Sequence, residues 1–277
     1  MSGVSNRLGG AAFSALRLVF GTLVVVFLLL PLVAILPLAF TDSVFLVYPI
    51  SGPSMRWFGV LAQSPAWMRA IINSLIIGTG ATLVATVIGT LAAMGLRREL
   101  VPCSGLLRSV FLLPMVVPAV VLGVGMQILY ARMGLASSYL GVIIAHAVLC
   151  VPFVLVNVAA SLASINPALE RAAASLGASP VEVFRRVTLP LALPGILTGA
   201  VFAFATSLDE VVLTLFVAGP NQTTLARQMF SSLRESISPA IAAAAFIILV
   251  LTFALLLTVK GATLFRALRQ RRDIRQS

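Results

Sequence analysis

Residues 170–195 read ERAAASLGASPVEVFRRVTLPLALPG, the densest run of charge, turn signals and helix caps in a chain that is otherwise almost entirely apolar. Just upstream, Asn166-Pro167 is a helix start: Asn caps, and Pro is tolerated at the first helical position. Gly177 stands where a left-handed residue ends that helix. Ser179-Pro180-Val181-Glu182 then matches a capping box, which predicts a second short helix stopping before Pro190. Leu169, Ala173 and Leu176 form one apolar stripe and Val181, Phe184 and Val187 another, ringed by Glu170, Arg171, Glu182, Arg185 and Arg186. Two readings fit: a surface that grips and releases a partner, or an amphipathic connector lying on a bilayer.

The flanks supply the setting. The chain is 60% hydrophobic and 10% charged, with mean hydropathy +1.10, far from a soluble domain. A hydrocarbon core of about 30 Å needs about 20 apolar residues as helix. Charge-poor windows of that length run approximately over 18–40, 70–95, 109–130, 138–163, 191–217 and 239–260. They are too long, and too little alternating, for barrel strands. The expectation is an all-α membrane protein: a bundle of six transmembrane helices forming one domain over 1–277, with residues 164–190 as the loop between spans four and five.

Lys and Arg are retained on the cytoplasmic side during insertion. One set of connections holds Arg7, Arg17, Arg97, Arg98, Arg108, Arg171, Arg185, Arg186, Lys260, Arg266, Arg269, Arg271, Arg272 and Arg275, against Arg56, Arg69, Arg132, Arg227 and Arg234 on the other. Fourteen against five puts both termini and the 164–190 loop in the cytoplasm. The net charge of +11 then reports topology and contact with anionic lipid, the C-terminal run FRALRQRRDIRQS included, rather than nucleic acid. Cys103, in a loop, and Cys150, in a span, have no CxxC or metal-like neighbours and read as inert.

Within the spans, Pro31 and Pro37 predict kinks in the first. Gly78, Thr82, Gly89 and Ala93 predict close helix approach in the second. Pro114 and Pro118 predict either a packed kink or a broken helix in the third. Trp57 and Trp67 read as interfacial anchors. His146 reads as an interhelical hydrogen-bonding group. Asp209 and Glu210 are the only carboxylates inside any predicted span, and a carboxylate in hydrocarbon costs about 2.5 to 3.5 kcal/mol, so it should face a polar cavity or a partner. We read the pair as lining a substrate path, one residue facing it because neighbours on a helix diverge; the alternative is a structural acid, hydrogen-bonded to a neighbouring helix or paired with Arg227 or Arg234.

The loop resembles the membrane-spanning permease subunits of type I ABC importers, whose pattern is EAA, three residues, Gly, nine residues, Ile, one residue, Leu-Pro. Here Ala172, Ala173 and Gly177 fall in place, then Val187, then Leu189-Pro190, while Arg171 stands at the EAA glutamate with Glu170 one residue earlier. The resemblance implies the type I importer permease fold and a bacterial inner-membrane location. It also implies a coupling helix formed by Glu170, Arg171, Ala172, Ala173, Gly177, Glu182, Arg185, Val187, Leu189 and Pro190, docking on ABC ATPase subunits. No G-x-x-x-x-G-K-[ST] occurs, so ATP and Mg would reside on that partner; no cofactor or metal is expected on this chain, and no catalysis.

Residues 207–239, SLDEVVLTLFVAGPNQTTLARQMFSSLRESISP, are similar to the spermidine/putrescine permeases. That likeness implies a polyamine substrate, an external binding protein, and a second permease subunit, a heterodimer being favoured over a homodimer. An ion-coupled secondary transporter using Asp209, Glu210 and His146 as a relay is the alternative, as is the same permease role for another small solute such as an amino acid derivative, opine or anion. An intramembrane enzyme is disfavoured by the lack of H-E-x-x-H or a Ser-x-Gly nucleophile motif near the sole His.

Overall fold

The computed structural model describes the backbone of residues 2–97 and 102–276, and side chains of residues 13–97, 102–259 and 261. Arg7, Arg98, Lys260 and the cations of the final run, on which the topology count and the lipid contact partly rest, have side chains outside the described residues. The helices in chain order are α1 (Ser2–Ile35), α2 (Arg56–Gln63), α3 (Pro65–Arg97), α4 (Ser104–Val116), α5 (Ala119–Met133) and α6 (Tyr139–Ala163). They continue with α7 (Pro167–Ser175), α8 (Pro180–Val183), α9 (Leu189–Asp209), α10 (Val212–Val217), α11 (Leu225–Glu235) and α12 (Ala240–Gln276). Among the described residues, five helical stretches are long and apolar enough to cross a membrane: Phe13–Phe40, Pro65–Arg97, Tyr139–Ala163, Pro180–Asp209 and Ala240–Val259.

The third span, expected over 109–130, is not one helix: α4 and α5 meet at 103°. Val117 precedes Pro118 and is extended (φ −72°, ψ 131°), because a proline ring clashes with a helical residue before it. Pro118 then offers its carbonyl to Val121 and Leu122 N–H and starts α5. Of the packed-kink and broken-helix alternatives, the broken helix is the one adopted. The fifth span, expected over 191–217, is also interrupted: α9 stops at Asp209 and α10 restarts at Val212. The distal pieces pack together, and a Cβ on Gly123 of α5 would meet Phe216 of α10 at 2.6 Å.

α6 is the centre of the bundle, with 56% of its apolar window buried against 11% for Phe13–Phe40. It meets α9 antiparallel, four residues up one helix for four down the other. Added Cβ atoms on Gly195 and Gly199 would lie 2.4 Å from Ser161 Cβ and 2.9 Å from Val154 Cα; Cys150 Sγ donates to Ala203 O at 3.1 Å, and His146 meets Ser207. α3 packs on both: a Cβ on Gly89 would be 2.7 Å from Val154 Cβ and one on Gly78 3.1 Å from Phe204. The close approach expected of these small residues is therefore real, and dispersion over the interface rewards it.

Trp57 and Trp67, read as interfacial anchors, are instead 7% and 8% exposed. They belong to a cluster with Leu61, Leu225 and Ile241, and Trp57 Nε1 donates to Ser43 O at 3.1 Å. Indole rings are large enough to earn more from core burial than from the headgroup region when a partner for the N–H is at hand.

Candidate functional site

At one end of α9 lies the loop of residues 164–190. Asn166 Oδ1 accepts from Ala168 N at 2.9 Å and opens α7. Gly177 adopts φ +86° with open space where a Cβ would be, so it is the backbone conformation, not crowding, that asks for glycine. Ser179 and Glu182 form the full capping box: Ser179 N and Oγ donate to Glu182 Oε2 at 2.9 and 3.0 Å, and Glu182 N donates back at 3.4 Å. Those donors, with Arg186 at 3.9 Å, hold the Glu182 carboxyl below its ordinary range.

The expected stop before Pro190 does not occur. A π-helical turn, Phe184–Thr188, carries α8 directly into α9, with Leu189 N–H bonded to Phe184 O. Proline has no N–H for the helical ladder and its ring presses on the carbonyl four residues back; one residue of slack ahead of it accommodates both. The segment Pro180–Asp209 is thus one helical unit of 30 residues.

Glu170 and Arg171, adjacent in sequence, separate in space. The Glu170 carboxylate is 12% exposed and turns inward, accepting from Arg97 Nη1 at 2.9 Å and Thr188 Oγ1 at 2.7 Å. It ties α7 to the end of α3 and to the base of α9. Arg171, Ala172 and Arg185 are exposed, as is Pro190; Ala173, Val187 and Leu189 are half-buried. Leu169, Leu176 and Val181 remain 49%, 89% and 64% exposed, so the two apolar stripes are not used up by the chain itself. A groove of about 650 Å³ runs between the loop and the end of α3, lined by Arg97, Pro167, Arg171, Val183 and Phe184 among others.

At the other end of α9 the acidic pair is not two successive residues of one continuous helix. Asp209 is the last residue of α9 and exposed; Glu210 is its C-cap, extended at φ −77°, ψ 114°, and half-buried. Glu210 Oε1 accepts from Leu213 N at 2.8 Å in the first turn of α10, and Thr214 Oγ1 donates to Glu210 O at 3.1 Å. Neither acid is ion-paired among the described residues. Arg227 donates to the carbonyls of Thr214 and Ala218 at 3.2 and 2.9 Å, and Arg234 lies over the Phe230 ring at 4.7 Å, so pairing with either arginine fails, while the Glu210 bond to α10 gives that residue the hydrogen-bonded structural role of the same alternative. At the break two carboxylates and the carbonyl end of α9, which carries partial negative charge, meet the N–H end of α10, which carries partial positive charge.

His146 is fully buried, with Nδ1 2.8 Å from Ser207 Oγ and Nε2 3.0 Å from Thr214 Oγ1. The interhelical role expected of it holds, and a relay to the acids would have to pass through hydroxyl groups. Sequence reasoning missed the Arg97 contact, whose partner is 73 residues away. It also missed Asn73, buried on α3, whose Nδ2 donates to the carbonyls of Asn221 and Thr223 and whose Oδ1 accepts from Tyr139. No local signal marks either.

Residues 85–271 match the family described as binding-protein-dependent transport system inner membrane component. The putrescine transport system permease protein PotI of Escherichia coli strain K12 is 35% identical over 84% of this chain and 85% of its own. The spermidine/putrescine transport system permease protein PotC of the same strain is 28% identical over 86% and 90%. Among solved structures, a bacterial ABC transporter involved in import of the acidic polysaccharide alginate aligns with a TM-score of 0.67 at 20% identity, over 92% of this chain and 98% of that one. An amino acid ABC transporter aligns at 0.57 and 18%, over 78% and 98%. With a helical fold shared with ABC importers and a family match over two thirds of its length, this chain belongs to the inner membrane components of binding-protein-dependent transport systems.

Proposed function

We propose that this chain is one of two membrane-spanning subunits of an importer that brings polyamines across the bacterial inner membrane, driven by ATP hydrolysed on separate subunits. The observation that carries the reading is the uninterrupted helical unit Pro180–Asp209, which joins the exposed loop to the acidic break. Residues 164–190 and both termini face the cytoplasm, and the ATPase subunits dock on the loop through Arg171, Leu176, Val181, Glu182 and Arg185, while Glu170 and Val183 fasten it to the bundle. A rigid helix transmits a displacement at its base to its far end, where a flexible loop would absorb it. Ala172, Ala173 and Gly177 keep the docking surface low, and Val187, Leu189 and Pro190 form the root of the lever.

At the far end Asp209 and Glu210 compensate the ammonium groups of the substrate as water is removed. A binding protein delivers the substrate from outside; a solved neighbour, the alginate transporter, is in complex with its pentasaccharide-bound periplasmic protein. The names of the relatives support the choice of solute. Lipid and a second permease, a different chain rather than a copy, cover the exposed flank of α1. The chain needs no cofactor of its own.

The test is ATP-dependent uptake of labelled putrescine and spermidine in proteoliposomes containing the chain with its partner permease, ATPase and binding protein. Gly177→Asp should abolish uptake and weaken ATPase retention, and Asp209→Asn should lower uptake with the assembly intact. Uptake of a different solute instead would retain the permease and discard the polyamine; uptake without ATP would discard both.

A further inference from the structure

We propose that His146 is a positioning residue that staples the two halves of the fifth span across their break and so sets where Asp209 and Glu210 point. Its two ring nitrogens reach different helices of the same span. Nδ1 meets Ser207 on α9, two residues before Asp209, and Nε2 meets Thr214 on α10, four residues after Glu210. Thr214 Oγ1 also lies 3.1 Å from Glu210 O, so the ring and the break share one hydroxyl group. Whichever nitrogen carries the hydrogen, the ring donates to one hydroxyl and accepts from the other, so both helices are held at once. A neutral imidazole donates at one end and accepts at the other, a pairing that an aliphatic side chain of this volume cannot supply.

The break needs such a device. Ending a helix inside apolar surroundings frees backbone groups that water does not satisfy. Glu210 Oε1 on Leu213 N–H and Thr214 Oγ1 on Glu210 O bind the break to itself, yet neither contact reaches out of the fifth span. His146 does, from α6, the most buried of the spans. Cys150 Sγ on Ala203 O, one turn along, extends the same seam. Arg227 and the Gly123–Phe216 packing hold α10 from its other sides; without the imidazole the side facing α6 is released, and the carboxylates gain freedom.

The transport arm of the test rests on the proposed role of the acidic pair; the labelling arm does not. In the assembled transporter, with exposed Cys103 changed to Ser and buried Cys150 retained, Asp209→Cys is labelled by a membrane-impermeant cationic thiol reagent, and modification of this chain is followed by mass spectrometry. His146→Ala, Ser207→Ala and Thr214→Val should each change the labelling rate by about fivefold, the shift expected from losing one ordinary hydrogen bond. His146→Gln, whose amide keeps both a donor and an acceptor, should restore part of it. In transporters retaining Asp209, the same substitutions should raise the KM for uptake more than they lower kcat.

Equal labelling in all variants, zero included, overturns the staple. So does a shift in His146→Ala alone, which would make the ring a core filler. Should His146→Ala fail to assemble, the Ser207 and Thr214 variants decide. Labelling that shifts as expected in a transporter that never takes up polyamine leaves the staple standing and removes the polyamine assignment.

Discussion

A glutamate caps a helix at each end of the Pro180–Asp209 unit, and the two do different work. Glu182 is exposed and accepts from Ser179 N–H and Oγ; Glu210 is half-buried and accepts from Leu213 N–H. In water a lost cap is replaced by solvent, so Glu182 tunes a surface helix. At the half-buried break solvent replaces such a bond less readily, so Glu210 carries more of the cost of restarting the helix. The same side-chain chemistry is worth less at the exposed loop than at the half-buried break.

The helix between the two ends is clamped against α6, and Gly195→Val attacks that clamp. With Ser161 Cβ only 2.4 Å from the added carbon, the expected cost is about 3 kcal/mol, seen as loss of monodisperse protein on size-exclusion chromatography. A stable variant would mean that α6 and α9 slide. At the break, Glu210→Ala leaves Leu213 N–H without its acceptor, which costs about 1–3 kcal/mol, whereas Glu210→Gln keeps an acceptor and loses only charge. Thermal unfolding in detergent should separate them, Ala well below Gln; equal midpoints would remove the cap from the argument.

At the loop, Arg97→Ala takes the guanidinium from the largely buried Glu170 carboxylate and should cost about 1–3 kcal/mol, together with weaker retention of the ATPase subunits. Arg171→Glu, exposed and not tied to the bundle, should leave the unfolding midpoint unchanged while lowering ATPase affinity at least tenfold, about 1.4 kcal/mol in a charge contact; pull-down titration checks both halves. The smallest effect is a pH dependence. The Glu182 carboxyl is held below its ordinary value by Ser179, so its contribution is complete above about pH 4.3, the unfolded value, and fades as the pH falls through the lower folded one. Amide exchange at Ser179 and Glu182, corrected for intrinsic rates, should lose protection there.

Much of this was legible in the chain. Asn166, Gly177, Ser179 and Glu182 act on backbone groups within three or four residues, so a short window contains both cause and effect. Pro118 breaks the third span for the same local reason. Pro190 misled, because a proline admits two answers: ending a helix, or being accommodated by a π turn, and the packing of α9 on α6 selects the second. The tryptophans misled likewise, since an indole suits either an interface or a core, and the cluster around Leu61 decides.

What the sequence by itself determined is therefore whatever composition and short-range capping dictate: six apolar stretches, a capped loop between the fourth and fifth, and two carboxylates where hydrocarbon should be. The tertiary structure alone decided which of Glu170 and Arg171 turns inward, where the fifth span breaks, and what His146 holds. Those outcomes depend on Arg97, Thr188, Ser207 and Thr214, residues brought close by helix packing across tens of positions of chain. No local pattern encodes such neighbours, because the small residues that permit close approach, Gly89, Gly195 and Gly199, specify that helices meet without naming the side chains they bring together.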